Sequence, residues 1–314
     1  LNFLLLALSR PFLQRTDTTA LVVAYRNGST FIADRVLPDV DVQAEKFKWQ
    51  EYSLDQFFTP HGDTEVSRKG LTSEIELLGT EKEDKTKDYA LEFALPYSDI
   101  DEADSKADPR DMHVTQLSEV LLLDREIRAR DVIFGESNYV HKELAQLKFD
   151  NPDADLLSYF LDSLETPIIR PNQFTIGQTE WSKLRRNKSL IQAIKGQVLE
   201  HGAITPQQLA DILEIDRVIV GRSQYNVSRK GKTSQIAKIW NGSAAFNYIN
   251  PAATNNSGLV TYGYTAVRDR DYREWDDPDV GADGGIRGRV IHRCKELVVA
   301  PELGLLMTGV LTAK

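Results

Sequence analysis

The sequence predicts a mixed α+β chain. Three observations carry this. Apolar and polar residues alternate with period two between Glu45 and Leu95. An apolar stripe with helical spacing runs from Met112 to Phe134. From Ile168 onward, short helical and extended patterns alternate. With 314 residues there is room for one large domain or two ordinary ones.

The chain opens with an apolar run, Leu1–Leu8 (LNFLLLAL). It is too short to span a membrane as a helix, which needs roughly 20 apolar residues. Arg10 and Arg15 follow the run instead of preceding it, so it lacks the order of a signal peptide. Such a run packs either on its own domain or on a neighbouring subunit. Thr16 or Asp17 can cap a helix through Arg26, which Asn27-Gly28 ends. Val36-Leu37-Pro38 then leads into extended chain. Phe47 and Trp49 alternate with Lys46, Lys48 and Gln50, and Ile75 and Leu77 with Glu74 and Glu76. Tyr89, Leu91, Phe93 and Leu95 alternate with Ala90, Glu92 and Ala94. This is the mark of strands with one wet face. Polar loops are expected over Thr59–Gly70 and Gly79–Asp88. Ribbons of this kind carry little core of their own, and a lone two-stranded ribbon is marginal in water, so the pattern points to a partner surface.

An acidic connector, Asp99–Asp111, leads into the longest helical stretch, about Met112 to Phe134, with Val114, Leu117, Val120, Leu121, Ile127 and Val132 at roughly helical spacing. Tyr139–Leu147 reads as a second helical piece, and Asn151-Pro152 breaks the chain before an amphipathic helix over Asp155–Leu164. Phe174–Gly177 reads as a strand and Glu180–Asn187 as a helix. Thr205-Pro206 is a cap followed by proline at the first helical position, with the helix running to Leu213. Strands are expected at Ile215–Gly221, within Ile236–Ile249, at Leu259–Val267 and at Arg289–Val299. Asp269–Gly288 reads as a Gly- and Asp-rich loop, and residues 301–304 turn the chain into Leu305–Leu311.

Composition excludes several classes. Lys plus Arg is 38 and Asp plus Glu is 47, so the formal charge is 38 − 47 = −9, which argues against a basic footprint covering the whole protein. The single cysteine, Cys294, excludes an intrachain disulfide and a cysteine-based zinc site, and fits a reducing compartment. No two of the five histidines have zinc-ligand spacing. No Gly-x-Ser-x-Gly elbow is present. Gly231-Lys232-Thr233 suggests a phosphate loop, but the motif needs glycine where Asn226 stands, which leaves a basic loop of Arg222, Arg229, Lys230 and Lys232. Asp276, Asp277, Asp279 and Asp283 offer oxygen ligands for a hard cation without the glycine and terminal Glu of an EF-hand. Cys294, between Arg293 and Lys295, reads as inert packing. The four tryptophans are too scattered for a stacking platform. The residues therefore assign no catalytic group, no cofactor and no metal. Ribbons with little core and an apolar N-terminal run favour a structural, self-associating role.

Arg170–Gly177 (RPNQFTIG), followed by Trp181, Leu184 and Arg185, resembles major capsid proteins of tailed double-stranded DNA phages. So do Leu121–Arg128 (LLLDREIR), the Thr19–Arg26 helix with Ile32-Ala33-Asp34 and Val36-Leu37-Pro38, Leu209–Gly221 (LADILEIDRVIVG) and Val299–Gly304 (VAPELG). The resemblance runs from about Thr16 to Leu311. It implies a Hong Kong 97-type capsid fold, with an N-terminal arm, an extended β-hairpin loop, a peripheral domain with a long spine helix, and an axial α/β domain. Mapped here, residues 1–45 are the arm and first helix and 46–96 the extended loop. Residues 97–167 are the peripheral domain with its spine helix, 168–258 the axial domain, 259–298 returning peripheral strands and loop, and 299–314 a return to the axial domain.

The family further implies a homo-oligomer of hexamers and pentamers in an icosahedral shell. That shell is a virion capsid assembled in host cytoplasm, enclosing double-stranded DNA without sequence-specific binding. A net negative charge suits enclosing DNA without gripping it. Scaffold, portal and decoration proteins are the further partners the family allows; a membrane and enzymatic activity are not implied. The expected subunit interface is the extended loop, with Phe47, Trp49, Ile75 and Leu77 burying their apolar face on a neighbour instead of in the chain's own core. Some relatives cross-link a loop lysine to an asparagine of another subunit, and Lys69, beside the loop tip, is the corresponding candidate. Three other readings stand beside this one: an encapsulin-type cellular compartment, an α/β enzyme with a site at Asp276–Asp283, and a nucleic-acid module using the Arg222–Lys232 loop.

Overall fold

The computed structural model describes residues 31–52, 58–60, 65–66, 68, 70, 79–102, 108–196, 202–228, 232–253 and 259–312. The helix expected over Thr16–Arg26 and the apolar N-terminal run lie outside these residues.

In chain order the elements begin with α1 (Ala33–Val36), β1 (Asp39–Asp41), β2 (Lys46–Tyr52), β3 (Gly79–Lys85) and β4 (Lys87–Pro96). Next come α2 (Tyr97–Asp101), the 25-residue α3 (Pro109–Ile133), β5 (His141–Leu144), α4 (Leu156–Leu164), β6 (Gln173–Gly177), α5 (Gln178–Leu184), α6 (Lys188–Lys195) and α7 (Pro206–Leu213). The chain ends with β7 (Arg217–Gly221), β8 (Gln224–Asn226), β9 (Ile236–Lys238), β10 (Ser243–Asn247), β11 (Gly263–Asp277), β12 (Gly285–Val298) and β13 (Gly304–Thr308).

Two sheets organise the fold. A five-stranded sheet has the order β5-β13-β10-β6-β7 and a four-stranded sheet the order β1-β11-β12-β4. The central strands of the first are buried on both faces, so their side chains divide between two cores. Phe174, Ile176, Phe246 and Met307 face the cluster built with α4 to α7, where the Phe174 and Phe246 rings stack at 4.3 Å. Ala245, Leu306 and Ile219 face the opposite cluster with Ala129, Ile133 and Trp240. α7 opens with the expected cap: Gln208 N–H donates to Thr205 Oγ1 at 3.3 Å, and Thr205 N–H donates to Gln208 Oε1 at 3.0 Å.

α3 joins the two sheets. Asp108 caps it by accepting from Arg110 N–H at 2.9 Å, with Pro109 at the first helical position. Its first half lays Val114 and Leu121 on the four-stranded sheet, against Phe93, Leu95, Tyr272 and Val290. Its last turns lay Ala129 and Ile133 on the five-stranded sheet. The two halves meet at Arg125 and Glu126, both buried.

Four expectations are corrected. Gly79–Lys85, read as a polar loop, is β3, paired antiparallel with β2. Its sequence GTEKEDK holds no apolar residue, so no alternation marks it; ladder hydrogen bonds and pairs such as Lys82–Glu51 at 3.0 Å hold it in place. β4 is not the far arm of that ribbon but an edge of the four-stranded sheet, paired with β12 from Lys87 to Pro96. Among the described residues of this stretch, β2 and β3 form the two-stranded ribbon. Tyr139–Leu147 is not helical: His141–Leu144 pairs parallel with β13. Asp269–Gly288 is not a loop, because β11 continues to Asp277 and β12 starts at Gly285. Its charges sit on paired strands, where Arg293 meets Asp269 at 2.7 Å and Arg273 meets Asp271 at 3.0 Å. α6 had no expectation; its apolar residues Leu190 and Ile191 complete the α4–α7 cluster.

Candidate assembly site and its internal supports

The ribbon leaves the four-stranded sheet from both edges: β1 leads into β2, and β3 leads into β4. Thr86 N–H donates to Glu45 O at 2.9 Å and closes its base. Phe47 packs there on Val40, Val42, Tyr264, Ala266 and Leu297 of its own chain and is 4% exposed. Phe47 is thus a private core residue, which corrects its expected burial on a neighbour: the ribbon base crosses the sheet and covers that face. Trp49 is half-buried beside it, with ring centroids 5.8 Å apart. Lys69, Ile75 and Leu77 lie outside the described residues.

The sheet's other face meets α3 through polar contacts. Arg125 reaches Asp34 and Asp39 at 2.5 Å each and Thr265 Oγ1 at 3.3 Å. Asp39 also receives Arg270 at 2.8 Å. Arg128 grips Glu296 with two hydrogen bonds of 3.1 Å and stands 3.6 Å over the Tyr89 ring. Glu126 is fully buried. It accepts Trp240 Nε1–H at 2.6 Å, Ser223 Oγ–H at 2.9 Å, Ala33 N–H at 2.8 Å and Ile32 N–H at 3.0 Å. Burial pushes its carboxyl pKa up, against these hydrogen bonds, which favour the charged form. The apolar spacing of this helix does not by itself mark Arg125 and Glu126 as buried. The signal lies in the spacing: Arg125 stands four residues from both Leu121 and Ala129, on the same helix face.

The other sequence candidates are occupied structurally. Asp276 accepts the Tyr97 hydroxyl at 2.7 Å, while Asp277 takes Arg287 and Asp279 N–H, which hold its carboxyl below the usual range. Among the described residues no group of three or more His, Cys, Asp and Glu is placed to hold a metal. Arg222 donates to Gln178 Oε1 at 3.1 Å, and residues 229–231 of the basic loop lie outside the described residues. Cys294 is buried beside Arg128 and Glu296, and burial pushes its thiol up to about 11. Trp181 and Trp240 are core residues, and Trp275 lies 5.1 Å beneath Arg289. No helix among the described residues is long and apolar enough to cross a membrane.

Over 308 residues the chain is 33% identical to the major capsid protein of Pseudomonas phage JBD67, covering 96% of this chain and 99% of that one. The chain belongs to the phage major capsid proteins. Solved structures agree in fold. A phage-related protein from Bordetella bronchiseptica RB50 aligns with a TM-score of 0.73 at 18% identity, over 96% of this chain and 99% of that one. The capsid of cyanophage P-SCSP1u aligns with a TM-score of 0.53 at 12% identity, over 92% and 90%. No protein-family model matches. As a major capsid protein, this subunit has its functional surface in whatever meets its neighbours; the buried charges around α3 are internal supports that hold the two sheets in one orientation.

Proposed function

We propose that this capsid subunit assembles into hexamers and pentamers of a closed icosahedral shell around double-stranded DNA. The observation that carries the reading is the match to a phage major capsid protein across nearly the full length of both chains. In this reading α3 is the spine helix of a peripheral domain made with the four-stranded sheet. The five-stranded sheet with α4 to α7 is the axial domain, and residues 1–45 form the arm and its anchor. The β2–β3 ribbon is the start of an extended loop that lies across a neighbour. Phe47 roots that loop in its own subunit, while Trp49, Ile75 and Leu77 face the neighbour. Hydrophobic burial that the ribbon lacks alone is then supplied by association. Many weak contacts repeated over a shell give a stable particle whose individual contacts stay reversible. The subunit performs no catalysis. Assembly takes place in host cytoplasm with scaffold, portal and decoration proteins as further partners, and the acidic balance lets the shell enclose DNA without holding it.

Electron microscopy of the expressed chain tests this. Closed shells tens of nanometres wide are expected, and DNA inside phage-derived particles separates a virion from a cellular compartment loaded with protein. A monodisperse monomer under all assembly conditions overturns the reading.

A further inference from the structure

We propose that Glu126 is a coupling residue that ties the placement of the chain's N-terminal segment to the order of the β8–β9 hairpin. One carboxylate holds both. Oε2 accepts the backbone N–H of Ala33 at 2.8 Å, and the N–H of Ile32 is shared between Oε2 at 3.0 Å and Oε1 at 3.1 Å, at the start of the described chain. Oε1 accepts Ser223 Oγ–H at 2.9 Å and Trp240 Nε1–H at 2.6 Å. Ser223 directly precedes β8, and Trp240 follows β9 by two residues. The hairpin is therefore gripped at both ends of its base, where Ile239 N–H also donates to Ser223 O at 3.1 Å.

Beside this carboxylate the two partners share only one apolar cluster, in which Ile32, Ala33, Val36 and Leu37 of the segment meet Ile239 and Trp240 at the hairpin base. β8 and β9 pair over only Gln224–Asn226 and Ile236–Lys238, and such a ribbon is marginal alone. α1 is a single turn whose N-terminal amides are satisfied by Glu126 because Ile32 makes no side-chain cap. The segment is also anchored by the neighbouring helix residue, Arg125, through Asp34 and Asp39, and by buried Val36 and Leu37.

Glu126 has no exposure to water through which to replace a lost donor. If the segment carrying Ile32 and Ala33 shifts, Oε2 loses both its donors and Oε1 loses its share of the Ile32 N–H. The carboxylate must then turn, and turning withdraws Oε1 from Ser223 and Trp240. Release of the hairpin acts on the segment in the same way, because coupling between two sites is reciprocal. A pull on the N-terminal segment is thus transmitted to a hairpin more than 180 residues away in sequence, through one side chain of α3. The coupling is a property of the single subunit and stands apart from the shell reading.

Amide hydrogen exchange on the full-length, unassembled chain tests it, using Asp34→Asn, Ser223→Ala and Glu126→Gln. Asp34→Asn removes a charge from the segment without touching the hairpin; it is expected to speed exchange in β8 and β9 by about tenfold as well as in residues 32–41. Ser223→Ala is expected to speed exchange at Ile32 and Ala33 by a similar factor. Glu126→Gln should loosen both. Leu209→Ala, in the α4–α7 core, serves as a control that lowers stability elsewhere. Faster exchange in residues 32–41 with an unchanged hairpin in Asp34→Asn overturns the proposal. So does a pattern in which Leu209→Ala loosens the hairpin as much as Asp34→Asn does. If Asp34→Asn fails to fold, Ser223→Ala decides alone: unchanged protection at Ile32 and Ala33 overturns the coupling.

Discussion

Arg128, on α3, holds both carboxylate oxygens of Glu296 on β12 at 3.1 Å, and Glu296 is almost completely buried. This pair, with the Tyr89 ring beneath the guanidinium, fixes the rotation of α3 over the four-stranded sheet. Removing one member leaves the other charge inside without its partner. Arg128→Met is expected to lower the stability of the unassembled chain by about 3 kcal/mol, whereas Arg128→Met with Glu296→Leu recovers most of that loss. Urea unfolding of the two variants measures the difference; equal stability of the single and double variants would contradict the assignment.

His292 predicts an acid-sensitive subunit. Burial, together with Arg270, Arg125 and Arg128, lowers its pKa from 6.5 to about 4. The unfolded chain therefore takes up a proton at this residue before the folded chain does. Its contribution to stability is complete above pH 6.5, falls as pH drops toward 4, and amounts to about 3 kcal/mol across that window. Thermal unfolding between pH 7 and pH 4 should show His292→Gln with a shallower loss of stability than the parent chain. Parallel pH profiles would remove His292 from the account.

Phe47 and Trp49, two residues apart on β2, should separate folding from assembly. Phe47 is enclosed by its own chain, so Phe47→Ala is expected to cost about 3 kcal/mol in the unassembled subunit. Trp49 is only half-buried against the same cluster, and Trp49→Ala should cost clearly less in the subunit while reducing particle yield in an assembly assay. A Trp49→Ala chain that assembles like the parent would show that this ring does not face a neighbour.

Cys294 should be chemically silent in the native chain. Its thiol is buried and pushed up to about 11, so almost none of it is thiolate at pH 8. Iodoacetamide is expected to label the protein only after denaturation. Rapid labelling of native subunits at pH 8 would refute the packing around β12.

Legibility followed the physical signal available to each segment. α4 and α7 were readable because their caps and apolar spacing are local, and Asp155 and Thr205 do what their positions suggest. β3 and the second half of β11 were not. Their residues are nearly all polar, and their pairing comes from neighbouring strands, Lys46–Tyr52 for one and Gly285–Arg293 for the other. β5 reads as helix in the sequence for a related reason: four residues at a sheet edge carry too short a pattern to tell the two periods apart, and β13 decides the outcome.

The sequence by itself determined the α+β class, the long helix, the absence of disulfides and, through motif order, the capsid family. Those follow from short-range spacing and composition, which a linear reading captures. Tertiary structure alone decided that β4 belongs to a sheet instead of a ribbon, that Phe47 is core, and that Arg125 and Glu126 are junctions instead of surface charges. Each depends on a partner far away in sequence: Arg289 for Glu92 in β4, Tyr264 for Phe47, Ile32 for Glu126. Burial is set by what arrives from elsewhere in the chain, and a charge inside the protein differs from one outside only by the neighbours that fold onto it.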